Sequence, residues 1–133
     1  MSLNWDNNLA TGINSIDNQH KELFDRINQL LLAMKEGKAR DEIMQTLNFL
    51  EEYVIKHFTE EEEIQNKTNY PLLNIQHMQH EEFKSDLKEF RRVLETEGTS
   101  TLLALNIHEK LADWFKNHII NLDKDLGDFL QNR

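Results

Sequence analysis

The chain has 133 residues, 38% of them hydrophobic, which predicts a single domain with a substantial core. Acidic residues outnumber basic ones by 24 to 15, which disfavours binding to nucleic acid or to an anionic membrane surface. The absence of cysteine excludes disulfides, thiolate zinc sites and iron–sulfur clusters. No apolar run approaches the roughly 18 residues of a membrane span, and the first residues lack a signal-peptide pattern. We therefore expect a cytoplasmic protein without membrane or nucleic-acid partners.

Four segments carry apolar residues at alternating spacings of three and four, the pattern of helices that bury one face in a bundle. We place these helices at 16–36, 41–65, 71–96 and 101–121. Their connections are short, which predicts an all-α fold, an up-down-up-down four-helix bundle. Residues 1–15 are expected to form an N-terminal arm that packs through Trp5 and Leu9. Residues 122–133 are expected to form a short C-terminal helical extension, with Gly127 as a weak point.

Several positions on these apolar faces hold polar residues, most of them of metal-ligating types: His20, His57, Glu61, Gln76, His80 and His118. Burying such a group without a partner costs roughly 2–7 kcal/mol. In an up-down-up-down bundle, all six would converge on one layer at the same end. A lone histidine on an apolar face is usually a hydrogen-bonded core residue, but four in one layer with a carboxylate favour a metal site. Iron, zinc and manganese all suit these ligands, and a carboxylate could bridge two metals.

The chain also resembles the bacterial hemerythrins over nearly its whole length. The motifs that carry this resemblance are Trp5, Thr11-Gly12-Ile13, Ile16-Asp17, Gln19-His20, His57-Phe58, Glu60-Glu61, Tyr70-Pro71, His80, Phe83, Trp114, His118 and Asp123. The resemblance implies one hemerythrin-like domain over residues 1–133, with the bundle at 16–121. It also implies a non-haem centre of two iron ions, bridged by carboxylates and an oxo or hydroxo group. Such a protein binds dioxygen reversibly, for storage, delivery or sensing, and is not an enzyme.

The resemblance implies that four histidines and two carboxylates ligate the irons: His20, His57, His80, His118, Glu61 and Asp123. The first two histidines would bind one iron, the last two the other, and the carboxylates would bridge them. Asp123 lies five residues after His118, about 140° away on a regular helix. For both side chains to reach the metals, the backbone there should bend or widen, as at a π-type turn.

One position departs from the family pattern. A histidine is expected four residues before His80, where this chain has Gln76. We favour Gln76 as a weak oxygen ligand, or as the neighbour of a water-filled position, because it continues the heptad. Alternatively, a shifted helix could make His77 the ligand.

The departure at Gln76 leaves a second function open. The alternative is a di-iron oxidase, peroxidase or nitric oxide reductase that acts in oxygen or nitrosative stress defence. The expected partner is dioxygen or another small diatomic or anionic ligand. We expect the chain to be a monomer or a weak oligomer.

Overall fold

The computed structural model describes residues 3–133, and every regular element in that range is helical. The elements are a 3₁₀ turn (Asn7–Leu9), α1 (Asn14–Lys35), α2 (Arg40–Lys67), α3 (Leu73–Glu97), α4 (Thr101–His118), a π-helical turn (Ile119–Asp123) and α5 (Lys124–Gln131). Helices α1 and α3 each pack against both α2 and α4. The predicted four-helix bundle is confirmed. Within residues 3–133, no helix is long and apolar enough to cross a membrane.

The helix boundaries differ from the predicted ones by a few residues. The third helix begins at Leu73 and not at Pro71, because Pro71 lies in a turn that the Leu73 amide closes by donating to the carbonyl of Tyr70. The fourth α-helix ends at His118 and not at residue 121, because a π-helical turn follows it.

Apolar side chains fill the end of the bundle where α2 begins. This apolar end is represented on the four helices by Leu30, Leu47, Leu94 and Ala104, which are each at most 3% exposed. Complete burial of a leucine side chain stabilises the folded state by roughly 1.5–3 kcal/mol. This part of the bundle therefore needs no bound group to be stable.

The segment before α1 and the helix α5 pack against each other near the other end. Leu9 is buried, and Trp5 packs against the ring of Phe24, so the described part of the predicted arm does lie on the bundle. Met1 and Ser2, which the prediction included in the arm, lie outside the described residues. A Cβ atom on Gly127 would lie 2.2 Å from the carbonyl oxygen of Thr11. Gly127 is therefore not a weak point but the contact that lets α5 approach the arm.

Candidate metal centre

The six predicted ligands lie together inside the bundle, at the end where α2 and α4 finish. Each is at most 2% exposed: His20, His57, Glu61, His80, His118 and Asp123. His118 is the last residue of α4, and Asp123 is the last residue of the π-helical turn. The expected π-type turn is confirmed, and it aims both side chains at the same interior point.

The ligand atoms form two groups that share one residue. His20, His57 and Glu61 have ligand atoms within 4.8 Å of one another, and so do Glu61, His80 and His118. Each group supplies two imidazole nitrogens and a carboxylate oxygen, which are suitable donors for a first-row transition metal. The arrangement therefore offers two adjacent metal positions.

Both carboxylates reach across the two groups. One oxygen of Glu61 lies 3.2 Å from His57 Nε2, and the other lies 3.3 Å from His80 Nε2. The oxygens of Asp123 divide in the same way, at 3.1 Å from His20 Nε2 and 3.2 Å from His118 Nε2. Each carboxylate thus presents one oxygen to each histidine pair, which is the geometry of a bridging ligand.

Three of the histidines are oriented by a partner on the outer ring nitrogen. The Nδ1 of His57 lies 2.6 Å from Gln19 Oε1, and that of His118 lies 2.7 Å from Gln79 Oε1. These oxygens can only accept, so Nδ1 carries a proton and Nε2 faces the interior of the site, where a metal would take its lone pair.

His80 differs because its outer partner is charged. Its Nδ1 donates to the carboxylate of Glu62 at 2.9 Å. A carboxylate partner makes an imidazole a stronger donor to a metal than an amide does. Glu62 is only partly exposed, although it stands in a run of four glutamates, residues 60–63.

The local charges favour a cation. Burial and the neighbouring Asp123 act to raise the pKa of Glu61, but His57 and His80 outweigh them and hold that pKa below its ordinary value. Burial also acts to raise the pKa of Asp123, but His118 and His20 lower it well below its usual range. Two ionised carboxylates therefore lie side by side in the interior, an arrangement that bound metal ions would stabilise.

The unpartnered polar atoms at the site also indicate a metal centre. Six buried ligand atoms have no hydrogen-bond partner among residues 3–133: the Nε2 atoms of His20, His80 and His118, both carboxylate oxygens of Glu61, and Oδ2 of Asp123. Buried polar atoms are seldom left in this state, because each loses its interaction with water. Metal coordination would satisfy all of them.

Comparisons with known proteins agree with this geometry. Residues 11–130 match the hemerythrin HHE cation binding domain. The chain belongs to the hemerythrin family. The bacteriohemerythrin of Pseudomonas paraeruginosa is 31% identical over 129 residues, which cover 96% of this chain and 81% of that protein. The bacteriohemerythrin of Clostridium acetobutylicum is 27% identical over 127 residues, covering 93% and 98%. A crystal structure of a hemerythrin variant superposes with a TM-score of 0.86 at 26% identity, covering 98% of each chain.

Within this hemerythrin bundle, Gln76 lies at the site and His77 lies outside it. Gln76 is fully buried, and its Nε2 donates to Asp123 Oδ1 at 3.0 Å. The side chain of His77 is 55% exposed, and its Nδ1 bonds the second oxygen of Glu62 at 2.6 Å. The helix is therefore not shifted in the way that ligation by His77 would require.

Sequence reasoning missed one further polar residue near the centre. Gln65 is fully buried, whereas its apolar neighbour Ile64 is only partly buried. The signal was the spacing, since Gln65 lies four residues after Glu61 and so shares its helix face.

Aromatic rings lie against the two histidines contributed by α3 and α4. Phe58 stacks on His80 with centroids 3.9 Å apart, and Trp114 stacks on His118 at 4.5 Å. Phe83 contacts both of these aromatic residues. These rings keep water away from the histidine pair on α3 and α4.

Proposed function

We propose that this hemerythrin centre holds two iron ions and binds dioxygen reversibly. The proposed ligands are His20 and His57 for one iron and His80 and His118 for the other, with Glu61 and Asp123 bridging. The proposal rests on the position of the two carboxylates. Each of them directs one oxygen towards each histidine pair. A lone structural metal would not need two carboxylates in that position.

The residues of the chain would do three things for such a centre. They bind the metals through neutral imidazoles and two carboxylates, a nitrogen and oxygen donor set that suits iron. They exclude water, since every proposed ligand is at most 2% exposed. They orient the histidines through Gln19, Glu62 and Gln79. The bound irons would supply the electrons that reversible dioxygen binding requires.

Cycles of deoxygenation and reoxygenation, combined with an iron count, test this function. We expect two irons per chain and an ultraviolet–visible spectrum that changes on oxygenation and returns on deoxygenation over several cycles. The exposed-histidine variant His77→Ala is a control that should keep both properties. Fewer than two irons, or no spectral response to dioxygen, would contradict the proposal.

The alternative, a di-iron oxidase, peroxidase or nitric oxide reductase, is favoured by one observation. Gln76 stands beside Asp123 where an imidazole would be a stronger donor, and its Oε1 has no partner in the described part of the chain. If the reduced protein instead consumes dioxygen, peroxide or nitric oxide over repeated turnovers, it is an enzyme and not a reversible dioxygen-binding protein.

A further inference from the structure

A surface groove between α2 and α3 lies beside the proposed metal centre. The groove has a volume of about 480 Å³, and its lining includes Glu62 and Glu63 from α2 and Asn74 and His77 from α3. Glu62 also reaches inward, since its Oε2 accepts a hydrogen bond from Nδ1 of the buried ligand His80 at 2.9 Å. One side chain therefore contacts both the open groove and a ligand of the centre.

The proposed ligands are closed off from water, so a metal ion needs a route to them. Each ligand is at most 2% exposed. The outer nitrogens of two of the histidines are bonded to neutral glutamine amides, whereas that of His80 is bonded to the carboxylate of Glu62. A divalent cation is attracted more strongly to a carboxylate than to an amide. The charges therefore favour an approach to the centre on the side of His80.

The groove contains the kinds of atom that bind a first-row divalent cation. His77 is 55% exposed, and it donates from Nδ1 to Glu62 Oε1 at 2.6 Å, so its Nε2 keeps a lone pair. Glu63 adds an exposed carboxylate. Lys84 also lines the groove, but its Nζ lies 3.0 Å from Glu81 Oε1, which offsets its charge. Imidazole nitrogen and carboxylate oxygen are suitable donors for such a cation.

These donors are not gathered as closely as those of the centre. Among residues 3–133, the only groups of three or more histidine or carboxylate ligand atoms within 4.8 Å of one another are the two buried ones. A cation in the groove would therefore be held weakly and released quickly. Rapid exchange is what a route of entry requires, whereas a storage site would need a tighter set of ligands.

We propose that this groove is the entrance through which divalent metal ions reach and leave the centre. His77 and Glu63 would capture an ion, which would then move along the carboxylate of Glu62 to the histidine pair of α3 and α4. Capture changes only the rates, because a residue that lowers the barrier to entry lowers the barrier to exit equally. The inference rests on the proposed function only in requiring that the centre binds two metal ions.

Uptake of cobalt(II) by the metal-free protein tests the entrance without dioxygen chemistry. The visible spectrum of cobalt(II) reports its ligands, so loading is followed by stopped-flow absorbance and release is followed after addition of excess chelator. We expect His77→Ala to slow both rates about fivefold or more, with two cobalt ions still bound at the end and an unchanged affinity. Met78→Ala, at an exposed neighbouring position on α3, is the matched control and should change neither rate.

A variant that removes one charge tests the role of the carboxylates in the groove. Clefts lined by one sign of charge raise association rates by roughly 10–10³, so Glu63→Gln should slow loading about threefold or more. The difference from wild type should shrink as the salt concentration rises, because salt screens exposed charges. Glu52→Gln removes an exposed charge from nearly the same side of α2, about 16 Å away. This control should load at the wild-type rate.

Several outcomes would overturn the proposal. Wild-type rates of loading and release in His77→Ala would show that ions enter elsewhere. Slower loading in Glu60→Gln but not in Glu63→Gln would place the entrance beside Gln19, to which Glu60 is bonded. A lower cobalt affinity in His77→Ala with unchanged loading would make His77 part of the centre and not of its entrance. Fewer than two cobalt ions in the wild type would contradict the proposed metal centre, and the entrance with it, and the final metal count identifies that case.

Discussion

The two ends of this bundle bury different kinds of side chain, apolar at one end and largely polar at the other. At the apolar end, Leu30, Leu47, Leu94 and Ala104 fill the interior and leave no polar atom to satisfy. At the opposite, polar end, the ligands and two glutamines take the place of such apolar side chains, and ten of their nitrogen and oxygen atoms have no hydrogen-bond partner within residues 3–133. The four α-helices run through both ends, so the difference lies in the side chains and in the π-helical turn that carries Asp123 at the polar end.

The comparison indicates which end gives stability and which end depends on a bound group. Apolar burial stabilises the fold whatever else is present, whereas unpartnered polar groups oppose folding until something binds to them. Metal binding to the folded chain should therefore raise its stability by mass action. The experiments below test this division, from the largest expected effect to the smallest.

The substitution expected to have the largest effect at the polar end is Glu61→Ala. Glu61 belongs to both ligand groups, so its removal takes one oxygen from each metal and a negative charge from between them. We expect the variant to fold but to lose most of its bound metal, measured by elemental analysis after reconstitution. Glu63→Ala, two residues further along α2 and exposed, is the control. Two metals retained by Glu61→Ala would show that this carboxylate does not bridge.

At the apolar end, Leu47→Ala should have the converse effect. Leu47 is fully buried and lies about 21 Å along α2 from Glu61. The cavity should lower the free energy of unfolding by about 2–5 kcal/mol, measured by chemical denaturation. The metal count of the folded protein should not change. Loss of metal from Leu47→Ala would show that the two ends are coupled and not independent.

A backbone contact beneath the polar end gives a third test, Gly127→Ala. The added methyl group would meet the carbonyl of Thr11 at 2.2 Å, so α5 must move, and the π-helical turn that carries Asp123 precedes α5 directly. We expect a loss of about 1–3 kcal/mol in unfolding free energy, together with weaker metal binding. Gly37→Ala, at an open turn of positive φ, should lower stability without weakening metal binding. Equal metal affinities in the two variants would argue against this link.

The smallest effect concerns the partner of His80. Glu62→Gln preserves the hydrogen bond to Nδ1 but removes the charge, so metal affinity should fall about 10–100-fold. Competition with a chelator measures this affinity. His77→Ala removes only the outer bond to Glu62 and should change affinity much less. An equal loss in both variants would mean that His77, and not the charge of Glu62, controls the donor strength of His80.

Much of this molecule follows from heptad spacing, and the exceptions have physical causes. The spacing predicted the bundle and brought His20, His57, His80 and His118 to one layer. It could not predict Asp123, because a π-helical turn changes the angular spacing and is not visible in the pattern of apolar residues. Asp123 was assigned from the family resemblance alone.

The remaining misses come from contacts between segments far apart in sequence. The role of Glu62 could not be predicted, because its partners His77 and His80 come from another helix. Gly127 looked like a weak point because its contact with Thr11 joins the two ends of the chain. Gln65 was missed because an apolar residue, Ile64, stands three residues after Glu61 and fits the same alternation of spacings.

The central claim is that two metals lie side by side and share Glu61 and Asp123. Anomalous diffraction at the iron absorption edge, from crystals of the iron-loaded protein, tests it most directly. The account predicts two iron peaks about 3.5–4 Å apart, one beside His20 and His57 and the other beside His80 and His118, with both carboxylates between them. A single peak, or two peaks that share neither carboxylate, would contradict it.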